Sequence, residues 1–143
     1  MITGRFGNTT AGPYVEGRLI LPGLGIEGNI SFLVDTGADV TTIMPDDSQK
    51  LRVDFHSLTN PDIATGIGGN ATTFEEDAHL TFFEANTNKL SLYATPVQFI
   101  TPSSYTAGIP SLLGRDVLDR WRMVYGPSKN ILTFTVRSAD LTA

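Results

Sequence analysis

Phe32-Leu33-Val34-Asp35-Thr36-Gly37-Ala38-Asp39-Val40-Thr41-Thr42-Ile43 carries a carboxylate out of an apolar run and straight into a glycine turn. Phe32, Leu33 and Val34 form a continuous apolar run, as expected for a strand buried on both faces. A strand of that kind does not ordinarily end in an unpaired carboxylate, because burying an ionised group is costly. Thr36 supplies a hydroxyl, and Gly37 lets its backbone N–H approach the carboxylate with no Cβ in the way. The triplet Asp35-Thr36-Gly37 occurs once in the 143 residues. By itself it also reads as an ordinary strand-to-turn tripeptide, since Asp and Gly are common turn residues. Other segments have to decide between the two readings.

The first of these is Ser111-Leu112-Leu113-Gly114-Arg115-Asp116-Val117-Leu118-Asp119-Arg120-Trp121. Two apolar residues run into a glycine, and a short amphipathic helix follows, with Val117, Leu118 and Trp121 at helical spacing on one face. The second is Ala64-Thr65-Gly66-Ile67-Gly68-Gly69-Asn70-Ala71-Thr72-Thr73-Phe74, with glycine at 66, 68 and 69. That density of glycine is entropically costly inside a rigid strand and suits the tip of a mobile hairpin, or simply a glycine-rich β-turn. A phosphate loop is a poor fit, because no Lys-Ser/Thr pair and no clear helix follow.

Taken together and in this order, the segments resemble the retroviral-type aspartic proteases, the retropepsins. The signature of that family is an apolar strand, Asp-Thr-Gly-Ala-Asp, and later an apolar-apolar-Gly-Arg-Asp/Asn run leading into a helix. The resemblance covers roughly Tyr14 to Val136. It implies an all-β fold, a retropepsin-like acid protease barrel with one or two short helices and a glycine-rich flap hairpin. It places the active site at a homodimer two-fold axis, because one Asp-Thr-Gly per short chain leaves the second catalytic carboxylate to another subunit. Two facing carboxylates cannot easily both ionise and so share a proton; aspartic proteases are themselves the reference case for such a pair. Carried over residue by residue, Asp35, Thr36 and Gly37 are the catalytic positions. Ala38, Asp39, Gly66, Ile67, Gly68 and Gly69 are the substrate-binding ones, with the flap tip at Ile67, Gly68 and Gly69. Gly114, Arg115 and Asp116 support the site, Arg115 pairing with Asp39 in a contact that can be bidentate.

The remaining chain reads as short strands. Tyr14–Leu21 and Ile26–Val34 flank the turn Pro22-Gly23-Leu24-Gly25. A short helix is expected from Pro45 to about Leu51, with Asp46 or Asp47 near its N-terminus. His79–Glu84 and Leu90–Ile100 are joined by Ala85–Lys89, and Met123–Tyr125 and Ile131–Val136 flank a hairpin turn at Gly126–Asn130. Many short strands with one or two helices describe a barrel-like domain. The domain is expected over 13–137, with a flexible Gly- and Thr-rich segment at 1–12 and a tail at 138–143. The hairpin continuing beyond the helix is closer to cellular and bacterial single-domain retropepsins than to minimal viral ones. Either that hairpin or the N-terminal segment is expected to serve as the dimer interface.

Composition narrows the function further. The net charge of −5 without a basic patch argues against nucleic acid as a partner. No cysteine is present, so neither disulfides nor thiol chemistry contribute. His56 and His79 are too isolated to suggest a metal site, and no metal or cofactor is expected. No stretch reaches transmembrane length and Met1–Gly7 lacks an apolar h-region, so a cytoplasmic location is expected. The expected partners are a second copy of the chain and an extended polypeptide substrate, paired by backbone hydrogen bonds. Val40, Ile43, Ile67 and Ile109 read equally as walls for apolar substrate side chains or as core residues. The alternative to an aspartic endopeptidase is a non-catalytic dimerisation or peptide-binding module on the same fold.

Overall fold

The computed structural model describes the backbone of residues 1–8, 11–66 and 69–143, and the side chains of 1–8, 11–63 and 71–143. Among these the strands are β1 (Ile2–Thr3), β2 (Arg5–Phe6), β3 (Pro13–Leu21), β4 (Ile26–Val34), β5 (Thr42–Ile43), β6 (Pro61–Gly66), β7 (Gly69–Glu84), β8 (Lys89–Ile100), β9 (Leu112–Leu113), β10 (Trp121–Gly126), β11 (Ile131–Val136) and β12 (Leu141–Thr142). Two short helices, α1 (Pro45–Lys50) and α2 (Arg115–Leu118), interrupt them.

Side-chain alternation along the longer strands dictates a closed barrel. Val15, Leu19 and Leu21 of β3 and Ile30, Phe32 and Val34 of β4 are buried at every second position, so each strand turns one face inward. β3 pairs with β4, β4 runs parallel to β9, and β9 pairs with β5. β5 runs parallel to β8, β8 pairs with β7, and β7 returns to β3. The ring of six strands is thereby closed, which removes the open edges a flat sheet would leave.

A second, three-stranded sheet in the order β1–β11–β10 packs against one side of the barrel. Trp121 joins the two layers: its ring lies 4.8 Å from Phe82 at 90° and 5.1 Å from Phe134. Its indole Nε1–H donates to the Tyr93 hydroxyl at 2.7 Å, and that hydroxyl donates to the Ser138 carbonyl at 2.9 Å, so both polar atoms of the buried aromatic cluster are satisfied. Burial pushes the Tyr93 hydroxyl above its ordinary value, against the pull of the hydrogen bond from Trp121.

Several elements differ from their sequence reading. The amphipathic helix is four residues, Arg115–Leu118, and Trp121 is the first residue of β10 instead of a member of the helical face. The aromatic cluster decides this, because the pairing Trp121↔Val136 and packing on Phe82 hold the residue in extended backbone. β7 begins ten residues before His79. Its polar stretch Thr72–Asp77 hides the period, but its ladder with β8 is continuous from Thr73↔Ile100 to Glu84↔Lys89. Both ends of the chain carry strands: Ile2, buried, pairs with Phe134, and Leu141 pairs with Leu92. No helix among the described residues is long and apolar enough to cross a membrane.

Candidate active site

The two sequence segments meet because β4 and β9 run side by side in parallel, Leu33 opposite Leu112 and Val34 opposite Leu113. Both strands end at the same level, so the Asp35 turn and the Gly114 turn leave the barrel together. Main-chain hydrogen bonds then join them on both sides. The Asp35 N–H donates to the Leu113 carbonyl at 3.0 Å, and the Arg115 N–H donates to the Ala38 carbonyl at 2.9 Å. Within the turn, the Ala38 N–H closes onto the Asp35 carbonyl at 3.2 Å. The Gly37 N–H reaches the Asp35 carboxylate Oδ1 at 2.9 Å, so the acid is held by its own turn. Asp35 is half-buried, whereas Thr36 and Gly37 are exposed, so the carboxylate sits at the rim of the barrel.

Gly114 is required by contact. A Cβ on it would lie 2.5 Å from the Val40 carbonyl carbon and 2.7 Å from its oxygen, well inside van der Waals contact. The backbone of the first loop therefore passes directly over this residue. The neighbouring Asp116 grips the same loop further along, its Oδ2 accepting from the Thr41 N–H and its Oδ1 from the Thr41 hydroxyl, both at 2.8 Å. Thr41 is fully buried, and its Oγ1 in turn accepts from the Gly114 N–H at 3.2 Å. Arg115 Nη2 donates to Asp39 Oδ1, a single contact between two exposed side chains. Such an exposed pair contributes only about 0–1 kcal/mol.

This arrangement agrees with what the chain is similar to. The family model described as aspartyl protease matches residues 24–117. The chain belongs to that family. Its structure is similar to a retropepsin-like aspartic protease from Rickettsia conorii, at a TM-score of 0.58 and 19% identity, covering 90% of this chain and 94% of that one. EIAV protease in complex with an inhibitor aligns at a TM-score of 0.49 and 19% identity, over 79% of this chain and 90% of that one. No curated protein matches the sequence. The fold is accordingly that of the retropepsin-like aspartic proteases.

In this member of the family the remaining predicted positions fall in different places. β6 and β7 form a hairpin that reaches its tip with Gly66 paired to Gly69, while Ile67 and Gly68 lie outside the described residues. The base of the hairpin is tied down, the Thr101 N–H and hydroxyl both meeting the Thr72 carbonyl at 3.1 and 3.0 Å. Of the four apolar wall positions, Ile43 is fully buried and belongs to the core. Val40 and Ile109 are partly exposed, and Ile67 is not among the described residues.

Sequence reading passed over two site-building side chains, Thr41 and Ser111. Ser111, fully buried, accepts from the Met44 N–H at 2.9 Å and donates to Asp47 Oδ2 at 2.5 Å. Asp47 and its neighbour Asp46, whose Oδ2 accepts from the Gly108 N–H at 3.1 Å, thereby tie α1 to the chain leading into β9. The available signal was a hydroxyl residue immediately beside each apolar run, which cannot be buried without a partner.

Proposed function

We propose that the chain is a homodimeric aspartic endopeptidase. Asp35 of each copy contributes one carboxylate to a pair that shares a proton and holds one water between them. The ionised member takes a proton from the water as its oxygen attacks the peptide carbonyl carbon. The protonated member donates a hydrogen bond to the carbonyl oxygen as charge develops there. Breaking the C–N bond then needs a proton on the leaving nitrogen, which the pair returns. Thr36 links the two loops beneath the carboxylates, and Gly37 meets the substrate backbone through its carbonyl. Ala38 and Asp39 line the substrate groove, and the hairpin tip at Gly66–Gly69 folds over the bound peptide and excludes water. Gly114, Arg115 and Asp116 hold the loop in place.

The observation that carries this reading is the single Asp35 carboxylate, held by the Gly37 N–H at the end of β4 in a loop tied on both sides to the Gly114-Arg115 turn. The substrate is an extended polypeptide bound by main-chain hydrogen bonds. The test is cleavage of an unstructured protein at about pH 5, wild type beside Asp35→Asn. Cleavage by wild type alone supports the reading. Equal cleavage by both removes Asp35 from the chemistry, and cleavage by neither turns the reading to a binding module.

A further inference from the structure

We propose that Asp47 is a positioning residue for the Asp35 carboxylate, acting through the buried Ser111 hydroxyl to fix β9 against β4. The inference rests on the reading of Asp35 as the catalytic acid, and it names the brace that sets where that acid stands.

The strand that ends in Asp35 leans on β9 by two main-chain bonds. The Leu33 N–H donates to the Ser111 carbonyl at 2.8 Å, and the Asp35 N–H donates to the Leu113 carbonyl at 3.0 Å. Parallel ladders space their bonds evenly, so a slip of β9 along β4 disturbs both together. β9 itself is only Leu112–Leu113, and it meets β5 at the single position Thr42↔Leu112. A ladder so short has little hold of its own, and the contacts at its two ends decide its place. One end is the Gly114 turn, close under Val40 and bonded to Thr41 and Ala38. The other end is Ser111.

Ser111 is fully buried and joins three segments. Its carbonyl holds Leu33 of β4. Its Oγ accepts from the N–H of Met44, between β5 and α1, and its O–H donates to Asp47 Oδ2 of α1. At 2.5 Å the bond to Asp47 is short, as expected for a hydroxyl on a carboxylate. Without that acceptor Ser111 would carry a buried donor with no partner, which is costly enough to move the chain. The carboxylate has a firm footing. Pro45 and Ser48 on either side of it are buried, and the Ser48 hydroxyl donates back to the Pro45 carbonyl at 3.1 Å. Asp46 adds a second grip, because its Oδ2 accepts from the Gly108 N–H at 3.1 Å. Two consecutive carboxylates of α1 thus hold both ends of Gly108–Ser111, the approach to β9. The route from Asp47 to the acid runs through the Ser111 hydroxyl, along Ser111 to its carbonyl, and across to β4. A reacting group displaced by about 1 Å loses about 10²-fold in rate, so a brace at this point acts on turnover.

The test compares Asp47→Ala, Asp47→Asn and Ser111→Ala in the full chain, on a synthetic peptide spanning one bond that the wild type cleaves. Rates are taken well below each melting temperature. Asp47→Ala and Ser111→Ala are expected to lower kcat by about 10- to 10²-fold with KM within about twofold of wild type. Asp47→Asn keeps an oxygen that accepts from Ser111 and is expected to recover most of kcat. The double variant Asp47→Ala/Ser111→Ala is expected to be no slower than the slower single one, since both remove the same bond. Amide hydrogen exchange read by NMR needs no activity. In Asp47→Ala the Leu33 and Asp35 amides are expected to exchange faster, while the β7–β8 ladder keeps wild-type rates. A lower melting temperature with unchanged kcat overturns the proposal, and leaves Asp47 a stabilising contact only. So does Asp47→Asn as slow as Asp47→Ala, or unchanged exchange at Leu33 and Asp35. If Asp47→Ala does not fold, Ser111→Ala read in the same ways decides. The two readings fail separately: a wild type that cleaves nothing sinks the protease, and exchange at Leu33 and Asp35 still decides whether Asp47 holds the Asp35 strand.

Discussion

Asp116 holds Thr41 by both of its carboxylate oxygens, one on the backbone N–H and one on the hydroxyl, across 75 residues of sequence. Asp116 Oδ1 also accepts from the Val117 N–H at 3.0 Å, so the same group satisfies an N–H in the first turn of α2. One short side chain thereby ties the exit of the Asp35 loop to the helix that follows the Gly114 turn.

Removing that carboxylate leaves the buried O–H and N–H donors of Thr41 without their acceptor. Asp116→Ala is expected to lower stability by about 2–4 kcal/mol, in the range for unsatisfied groups that had been bonded to a charge. Denaturant unfolding checks this. A loss under about 0.5 kcal/mol would show that the two bonds carry little.

Gly114→Ala is expected to disable cleavage even where the fold survives. The added methyl meets backbone at Val40, which has no rotamer with which to escape. Overpacking of this kind costs about 1–3 kcal/mol, and here it displaces the chain between Asp35 and Thr41. Melting temperature and kcat/KM measured together separate the effects, with kcat/KM expected to fall further than stability alone explains.

Asp35→Asn is expected to reduce kcat by about 10²–10⁴-fold or more, the range for loss of a positioned acid or base. Melting temperature and dimer mass are expected to stay near wild type, because the amide oxygen can still accept from the Gly37 N–H. Turnover close to wild type is the opposing result.

Activity is expected to peak in mildly acidic solution, since a shared proton requires one carboxyl of the pair to keep it. A rate that is flat from about pH 4 to 9 would contradict the pair.

Acid also weakens one tie at the C-terminal segment. The Ala94 N–H on Asp140 at 2.8 Å, and after it the Arg120 guanidinium at 2.9 Å, hold the Asp140 carboxyl below its ordinary value near 3.8. A depressed carboxyl stabilises the fold at every pH above its unfolded value, and that contribution disappears as pH falls through the folded value. It is therefore intact at about pH 5 and lost below about pH 3.8. Asp140→Asn is expected to melt slightly lower than wild type near neutrality, the two converging in stronger acid. A gap that widens on acidification would reverse the sign.

How much of this was legible in the chain depends on how local the cause is. Phe32–Gly37 and Leu112–Gly114 announce their strand-to-glycine turns by residue type, because burial of the run and close backbone approach at the glycine leave few alternatives. Alternation likewise marks β3 and β4. Two-residue strands such as β5 and β9 have no period to read, although they close the barrel by lying between β8 and β4. Trp121 fits a helical face by spacing, and an aromatic cluster drawn from β7, β8 and β11 placed it in a strand.

The chain alone thus determined the two turns, the single carboxylate and the family that residues 24–117 match. Only the tertiary structure decided which distant groups hold those turns: Asp116 for Thr41, Asp47 for Ser111, and the Leu113 and Ala38 carbonyls for the N–H groups facing them. Propensity and periodicity act over a few residues, whereas each of these bonds joins groups more than 60 positions apart, made neighbours by parallel pairing of two strands. The side of β10 left without a strand among the described residues belongs to the same class, because an edge is a property of a sheet and not of any one strand.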